Sequence, residues 1–75
     1  MDEQDLQRLN ELLGQQGKSV NDLIRTLNKR ISRGDLSRDV RDALAILEKN
    51  SKKLDETQKK QIDSLGKLAE EVEKT

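Results

Sequence analysis

The sequence predicts an all-α protein: two short helices folded back on a long third helix, assembling as a helical-bundle or coiled-coil homo-oligomer. Three observations lead there. Leucine and isoleucine recur at helical spacing and proline is absent. Glycines stand at 14, 17, 34 and 66, which divides the chain into two short segments and one long one. From residue 40 onward, positions spaced by seven fall into two phases, Val40-Leu47-Leu54-Gln61-Leu68 and Leu44-Ser51-Gln58-Leu65-Val72.

The first helix follows from Leu6, Leu9 and Leu13, with Leu12 beside them, which share one face. Asp2, Glu3 and Asp5 stand at its start, where the helix dipole favours negative charge. Gly14 suits the position just past its end, and Gly14-Gln15-Gln16-Gly17 reads as a turn. Ser19 with Asp22 is a variant capping box for the second helix. Val20, Leu23, Ile24, Leu27 and Ile31 trace its apolar stripe. Lys29, Arg30 and Arg33 crowd the last turn before Gly34. Asp35 or Ser37 caps the third helix. No strong breaker follows except Gly66, so a rod of roughly 57 Å is expected at 1.5 Å per residue.

Its outer positions after Asn50 are nearly all charged, which makes a solvated back. The flanking positions are unusual for a two-stranded zipper. Ile62 and Ala69 are apolar, whereas Asn50, Thr57 and Ser64 are small and neutral. The seam is therefore wide, which favours a bundle. It is also polar at Ser51, Gln58 and Gln61, so the middle of the rod would hold together weakly. Ala43-Leu44-Ala45-Ile46-Leu47 is apolar on every side of a helix. Ala45 and Ile46 lie off the seam and need a second cover, which the first two helices can supply. The expected organisation is a three-helix head at 1–50 and a helical stalk at 51–75, continuing the third helix. Ile46 is expected to be buried in the head. The expected oligomer interface is Val40, Leu44, Leu47, Leu54, Gln58, Gln61, Ile62, Leu65, Leu68, Ala69 and Val72, in a dimer or tetramer.

The energy balance supports association. Twelve Leu, four Ile and three Val are the large aliphatic residues of a 75-residue chain without aromatics. Burying each fully contributes roughly 1.5–3 kcal/mol, and ordering the backbone costs about 1–2 kcal/mol per residue. A lone monomer would be marginal. There is no Cys for a disulfide, and neither Cys nor His for zinc. Self-association or docking on a partner remains. The high charge, 40% of residues, would also suit disorder, but the regular leucine spacing argues against it.

Several chemistries find no support. Without His, Cys or Tyr, nucleophilic dyads that rely on His cannot form. Carboxylates are abundant, but all fall on expected exposed faces beside lysines, with no walls to desolvate them. No enzymatic activity and no cofactor are expected. Gly14-Gln-Gln-Gly-Lys-Ser19 has glycines and a lysine but not the spacing or preceding strand of a phosphate loop. Asp2-Glu-Gln-Asp5 does not match the alternating ligands of a calcium loop, so no metal site is expected. The acidic N-terminal stretch has no apolar core of a secretory signal, and the longest apolar run is five residues. No membrane partner and a cytoplasmic location are expected. The second helix is amphipathic and basic but has no Trp or Phe to anchor it in a lipid interface.

Binding is therefore the expected activity. The leading class is a small oligomerising protein-interaction module, an adaptor, scaffold or regulator acting through helix–helix contacts. The alternative is a nucleic-acid-binding accessory protein. Arg25, Lys29 and Arg33 lie at i, i+4, i+8, opposite the Val20–Ile31 stripe, and Arg30, Arg38 and Arg41 complete a cluster of candidate phosphate contacts over 25–41. Zero net charge, the interleaved Asp22, Asp35, Asp39 and Asp42, and the lack of stacking aromatics weigh against it.

Ile31-Ser-Arg-Gly-Asp-Leu-Ser37 resembles the Gly-Asp-Leu-Ser segment that joins the two helices of HAMP signalling domains. The resemblance covers seven residues. The proline that opens the first HAMP helix and the downstream Asp-Glu-hydrophobic-Gly element have no counterpart here. The resemblance adds no function to the reading.

Overall fold

Each of the first two helices ends where a glycine takes a left-handed backbone. The computed structural model describes residues 1–75. Helix α1 spans Glu3–Leu12 and is capped by the Asp2 carboxylate, which accepts from the Asp5 N–H at 2.8 Å. Gly14 follows at φ 64°. The Gln15 N–H returns to the Asn10 carbonyl and the Gly14 N–H to that of Glu11. That is a Schellman closure, which only glycine enters without a Cβ penalty. Helix α2, Val20–Ser32, ends the same way. Gly34 lies at φ 88°, with Asp35 N–H on the Arg30 carbonyl and Gly34 N–H on that of Ile31. At its start the Ser19 hydroxyl accepts from the Asp22 N–H at 3.4 Å and donates to the Asp22 carboxylate at 3.0 Å. The expected pairing of Ser19 with Asp22 therefore forms, with the hydroxyl in place of the Ser19 backbone as the carboxylate's partner.

Helix α3 spans Arg38–Lys49 with Ser37 at its N-cap. The long third helix expected from the heptads does not continue beyond it. A single 3₁₀ turn, Ser51–Lys53, follows, and the backbone is then extended at Leu54 and Asp55. Helix α4, Glu56–Lys74, starts afresh from Asp55. The molecule measures 35 × 26 × 16 Å, too short for a rod of 38–74.

Two polar devices and one apolar driving force account for the break. The Asn50 side chain is 3% exposed, and its amide donates both to the Ile46 carbonyl at 2.8 Å and to the Asp5 carboxylate at 3.1 Å. It thereby ends α3 while fastening it to the start of α1. Asp55 and Gln58 form a reciprocal capping box: the Gln58 N–H reaches Asp55 Oδ1 at 2.7 Å, and the Asp55 N–H reaches Gln58 Oε1. Turning back then buries Ile62 and Leu65 in the same cluster as the first three helices. A straight extension would leave both in water.

The four helices form one compact all-α domain around this cluster: Leu9, Leu13, Leu23, Ile24, Leu27, Ile31, Val40, Ala43, Leu44, Leu47, Ile62 and Leu65. Residues 51–75, expected as a stalk, are the 3₁₀ turn and α4. Helix α4 runs antiparallel to α3, with Arg41 paired to Glu73 and Gly66 facing Glu48. It runs alongside α2 in the same direction, with Gln58 hydrogen-bonded to Asn21 at 3.0 Å. Helix α1 lies against α3. The apolar five-residue run divides accordingly. Ala43, Leu44 and Leu47 are buried, Ile46 is half-buried against the core rather than fully buried, and Ala45 is exposed.

Candidate functional site

The structure separates the expected interface residues by depth. Val40, Leu44, Leu47, Ile62 and Leu65 are buried within the monomer. Leu54, Gln58, Leu68, Ala69 and Val72 are half-buried, and Gln61 is exposed. The apolar members of this set pack in the core or against it. No large hydrophobic side chain is exposed anywhere. The seam is thus satisfied by the chain's own helices, because α4 supplies to α3 the cover that a second copy was expected to supply.

The six cations of the 25–41 cluster also separate. Arg30 donates to the Leu13 carbonyl at 3.1 Å, where it ties the end of α1 to the last turn of α2. Arg41 donates from Nε to the Leu36 carbonyl at 2.9 Å and pairs with Glu73 at 2.6 Å. These two are engaged by the fold, Arg30 half-buried and Arg41 at the surface. Arg25 and Arg38 are exposed and reach Asp22 and Asp42 only at 4.0 Å, contacts of little strength at a surface. Lys29 and Arg33 are exposed and form no ion pair. Arg25, Lys29 and Arg33 therefore make a free cationic stripe on the outer face of α2, with Arg38 beyond the turn.

Asp35 lies in that turn. The Ser37 N–H donates to its carboxylate at 3.1 Å. That bond first, then the Ser37 hydroxyl and the Arg30 charge, holds its pKa below the ordinary value of 3.8. The charge on Asp35 serves the turn between α2 and α3.

Along one border of the stripe, α2 and α4 enclose an open groove of about 340 Å³. Its depth is lined by Ile24 and Leu65, both nearly buried. Neutral polar residues form its walls, Asn28 from α2 and Thr57, Gln61 and Ser64 from α4. Arg25 and Lys60 stand on opposite rims. None of its lining residues is a carboxylate. Such a groove lies at the small end of ligand sites, which run ~300–1,000 Å³. Its combination of apolar floor, hydrogen-bonding walls and cationic rims suits an acidic, partly apolar segment.

Sequence reasoning named Ile24, Arg25, Thr57, Gln61, Ser64 and Leu65, but for other roles, and missed Asn28 and Lys60. Two signals pointed to part of this wall. Thr57 and Ser64 are small and neutral where a zipper would carry charges, and Asn21 and Asn28 stand seven apart on one side of α2. No cluster of three or more His, Cys, Asp or Glu residues is placed to hold a metal ion. No helix is long and apolar enough to cross a membrane. No family model, curated protein or solved structure matches the chain.

Proposed function

We propose that this protein is a small, non-enzymatic interaction module, an adaptor, scaffold or regulator, whose α2–α4 groove receives an acidic helical segment of another protein. The observation that carries the reading is the groove's charge. Arg25 from α2 and Lys60 from α4 line a groove with an apolar floor and no carboxylate, although acids and bases are equal in number over the whole chain. Charge complementarity of this kind steers encounter and excludes basic competitors. The floor of Ile24 and Leu65 supplies the apolar contact that a helix face seeks. Self-association belongs to this reading only as an additional property, because the heptad seam is already occupied within the monomer.

A second reading has its own observation. Arg25, Lys29 and Arg33 form an uninterrupted row without strong ion pairs, as a phosphate-contacting helix would present.

Binding separates the two. The probes are an amphipathic Leu/Glu helical peptide, its Leu/Lys counterpart and a generic DNA duplex, each titrated near physiological salt. The proposed function expects binding of the Leu/Glu peptide alone, weakened at least tenfold by Arg25→Glu with Lys60→Glu. Duplex binding that is lost on reversing Arg25, Lys29 and Arg33 to Glu, with no binding of the Leu/Glu peptide, would replace it with the nucleic-acid reading.

A further inference from the structure

We infer that a second copy of this chain can take the place of its own α4: the connection between α3 and α4 straightens, and two chains exchange their fourth helices. This inference does not depend on what occupies the α2–α4 groove.

The connection is built to allow both states. Only Leu54, at φ −103° ψ 163°, and Asp55, at φ −73° ψ 169°, hold fully extended backbone between the two helices. Asn50 sits at φ −97° ψ 4°, and Ser51–Lys53 is already a 3₁₀ turn. Neither glycine nor proline occurs from 50 to 56, and no residue there has a positive φ. Nothing covalent or steric forbids a continuous helix. Rotation at two residues, with a slight relaxation of the 3₁₀ turn, would join α3 to α4 over 38–74.

The heptads supply the second argument. In a hairpin, a six-residue connection need not preserve the phase of the helix before it. Here Val40 and Leu47 keep step with Leu54, Gln61 and Leu68, and Leu44 keeps step with Leu65 and Val72. A continuous helix would have a use for that phase.

The α3–α4 contacts are symmetric about one position. Arg41 with Glu73 and Glu48 with Gly66 are both centred on position 57. Two straightened chains laid antiparallel about Thr57 would remake the α3–α4 contacts between chains. Ile62 and Leu65 would return to the same environment, now in the partner's core. What is forfeited is the Asp55–Gln58 capping box and the two 3₁₀ bonds, from the Lys53 N–H to the Asn50 carbonyl and from the Leu54 N–H to the Ser51 carbonyl. What is gained is the helical hydrogen bonding of the straightened connection. The two states thus differ by few contacts, and mass action sets their populations. The exchanged dimer would carry two grooves, each made of α2 from one chain and α4 from the other.

Light scattering after size separation tests this on the intact chain, refolded from denaturant at low and at high concentration. A dimer is expected at the high concentration. Glu56→Pro should cut its share at least tenfold. Position 56 is the first residue of α4, where proline is well tolerated, and Asp55 is already extended as a residue before proline must be. In a straight helix the same proline would stand in the interior and break it. Asp55→Ala should act in the opposite direction. Glu48→Cys with Gly66→Cys, joined by a short bismaleimide, should yield cross-linked single chains from the dilute sample and cross-linked pairs from the dimer. The inference is overturned if Asp55→Ala stays monomeric at millimolar concentration. It is also overturned if a dimer forms that Glu56→Pro leaves intact, or that cross-links only within chains.

Discussion

The turn after α2 and the turn after α3 solve the same problem by different means. The first uses Gly34, whose left-handed backbone lets two N–H groups fold back on the last carbonyls. Everything it needs is local, so Arg33-Gly34-Asp35 announces it. The second has no glycine. It uses a buried amide, Asn50, bonded both to the local Ile46 carbonyl and to Asp5 at the start of the chain, and a capping box after one 3₁₀ turn. Helix ends made by backbone necessity can be read from a short window. Ends made by tertiary contact become visible only when the partner is in place.

Core truncation should show the largest effect, and it contrasts the body of α3 with its end. Leu47 is fully buried, so Leu47→Ala should cost about 2–5 kcal/mol by urea denaturation. Leu54, half-buried at the break, should cost less than half as much. Equal losses would mean that the connection is packed as tightly as the core, which the fold does not allow.

The buried amides come next. Asn50→Ala leaves the Ile46 carbonyl without its side-chain partner and releases Asp5, and should cost about 1–3 kcal/mol. Asn10 is 8% exposed and brackets Lys18, accepting from its N–H at 2.8 Å and donating to its carbonyl at 3.3 Å. Asn10→Ala should fall in the same range. Amide exchange would distinguish them. Loss of Asn50 should speed exchange at the start of α1 and the end of α3, and loss of Asn10 in the turn at 14–19. Uniform acceleration in both variants would contradict these local roles.

The glycines should respond with opposite signs. Gly34→Ala forces a Cβ into the left-handed region and should lose about 1–2 kcal/mol. Gly66 lies within α4, and a Cβ there would meet only the Glu48 carboxylate at an ordinary 3.8 Å. Gly66→Ala should therefore gain about 0.5–1 kcal/mol. Thermal melts of the two variants should shift in opposite directions.

These pairs also show what was legible. The first two helices, their glycine ends and the core leucines followed from spacing and capping. Gly66 looked like a potential breaker and is not one, because helix interiors tolerate glycine when packing holds them. Asn50 read as a small neutral residue flanking the seam and ends a helix instead. The Asp55-Glu-Thr-Gln58 box stands in the sequence, but the heptads run through it and make Gln58 read as a seam position. The heptads are periodic in either arrangement, so periodicity alone could not decide between a rod and a hairpin. The cationic stripe was legible as a pattern. Which of its members are free was not, since the partners of Arg30 and Arg41 lie 17 and 32 positions away.

The smallest expected effect concerns Asp35. Its carboxyl titrates below its ordinary value when folded, so its ionised form favours the native state. That contribution is present above pH 3.8 and disappears as the pH falls through the lower folded-state value. Asp35→Asn should therefore be slightly less stable than the parent at neutral pH, and the gap should close in acid. A gap that persists in acid would assign the loss to geometry rather than charge.

The chain turns back between Asn50 and Asp55, so that α4 completes the monomer's core. The most direct test is the distance between spin labels at Arg38→Cys and Lys74→Cys, in dilute protein mixed with an excess of unlabelled chain. A straight helix would hold these positions about 54 Å apart. The hairpin, in which Arg41 and Glu73 are in contact, predicts a single distribution at well under half that distance. A dominant population at the long distance in monomeric protein would contradict it.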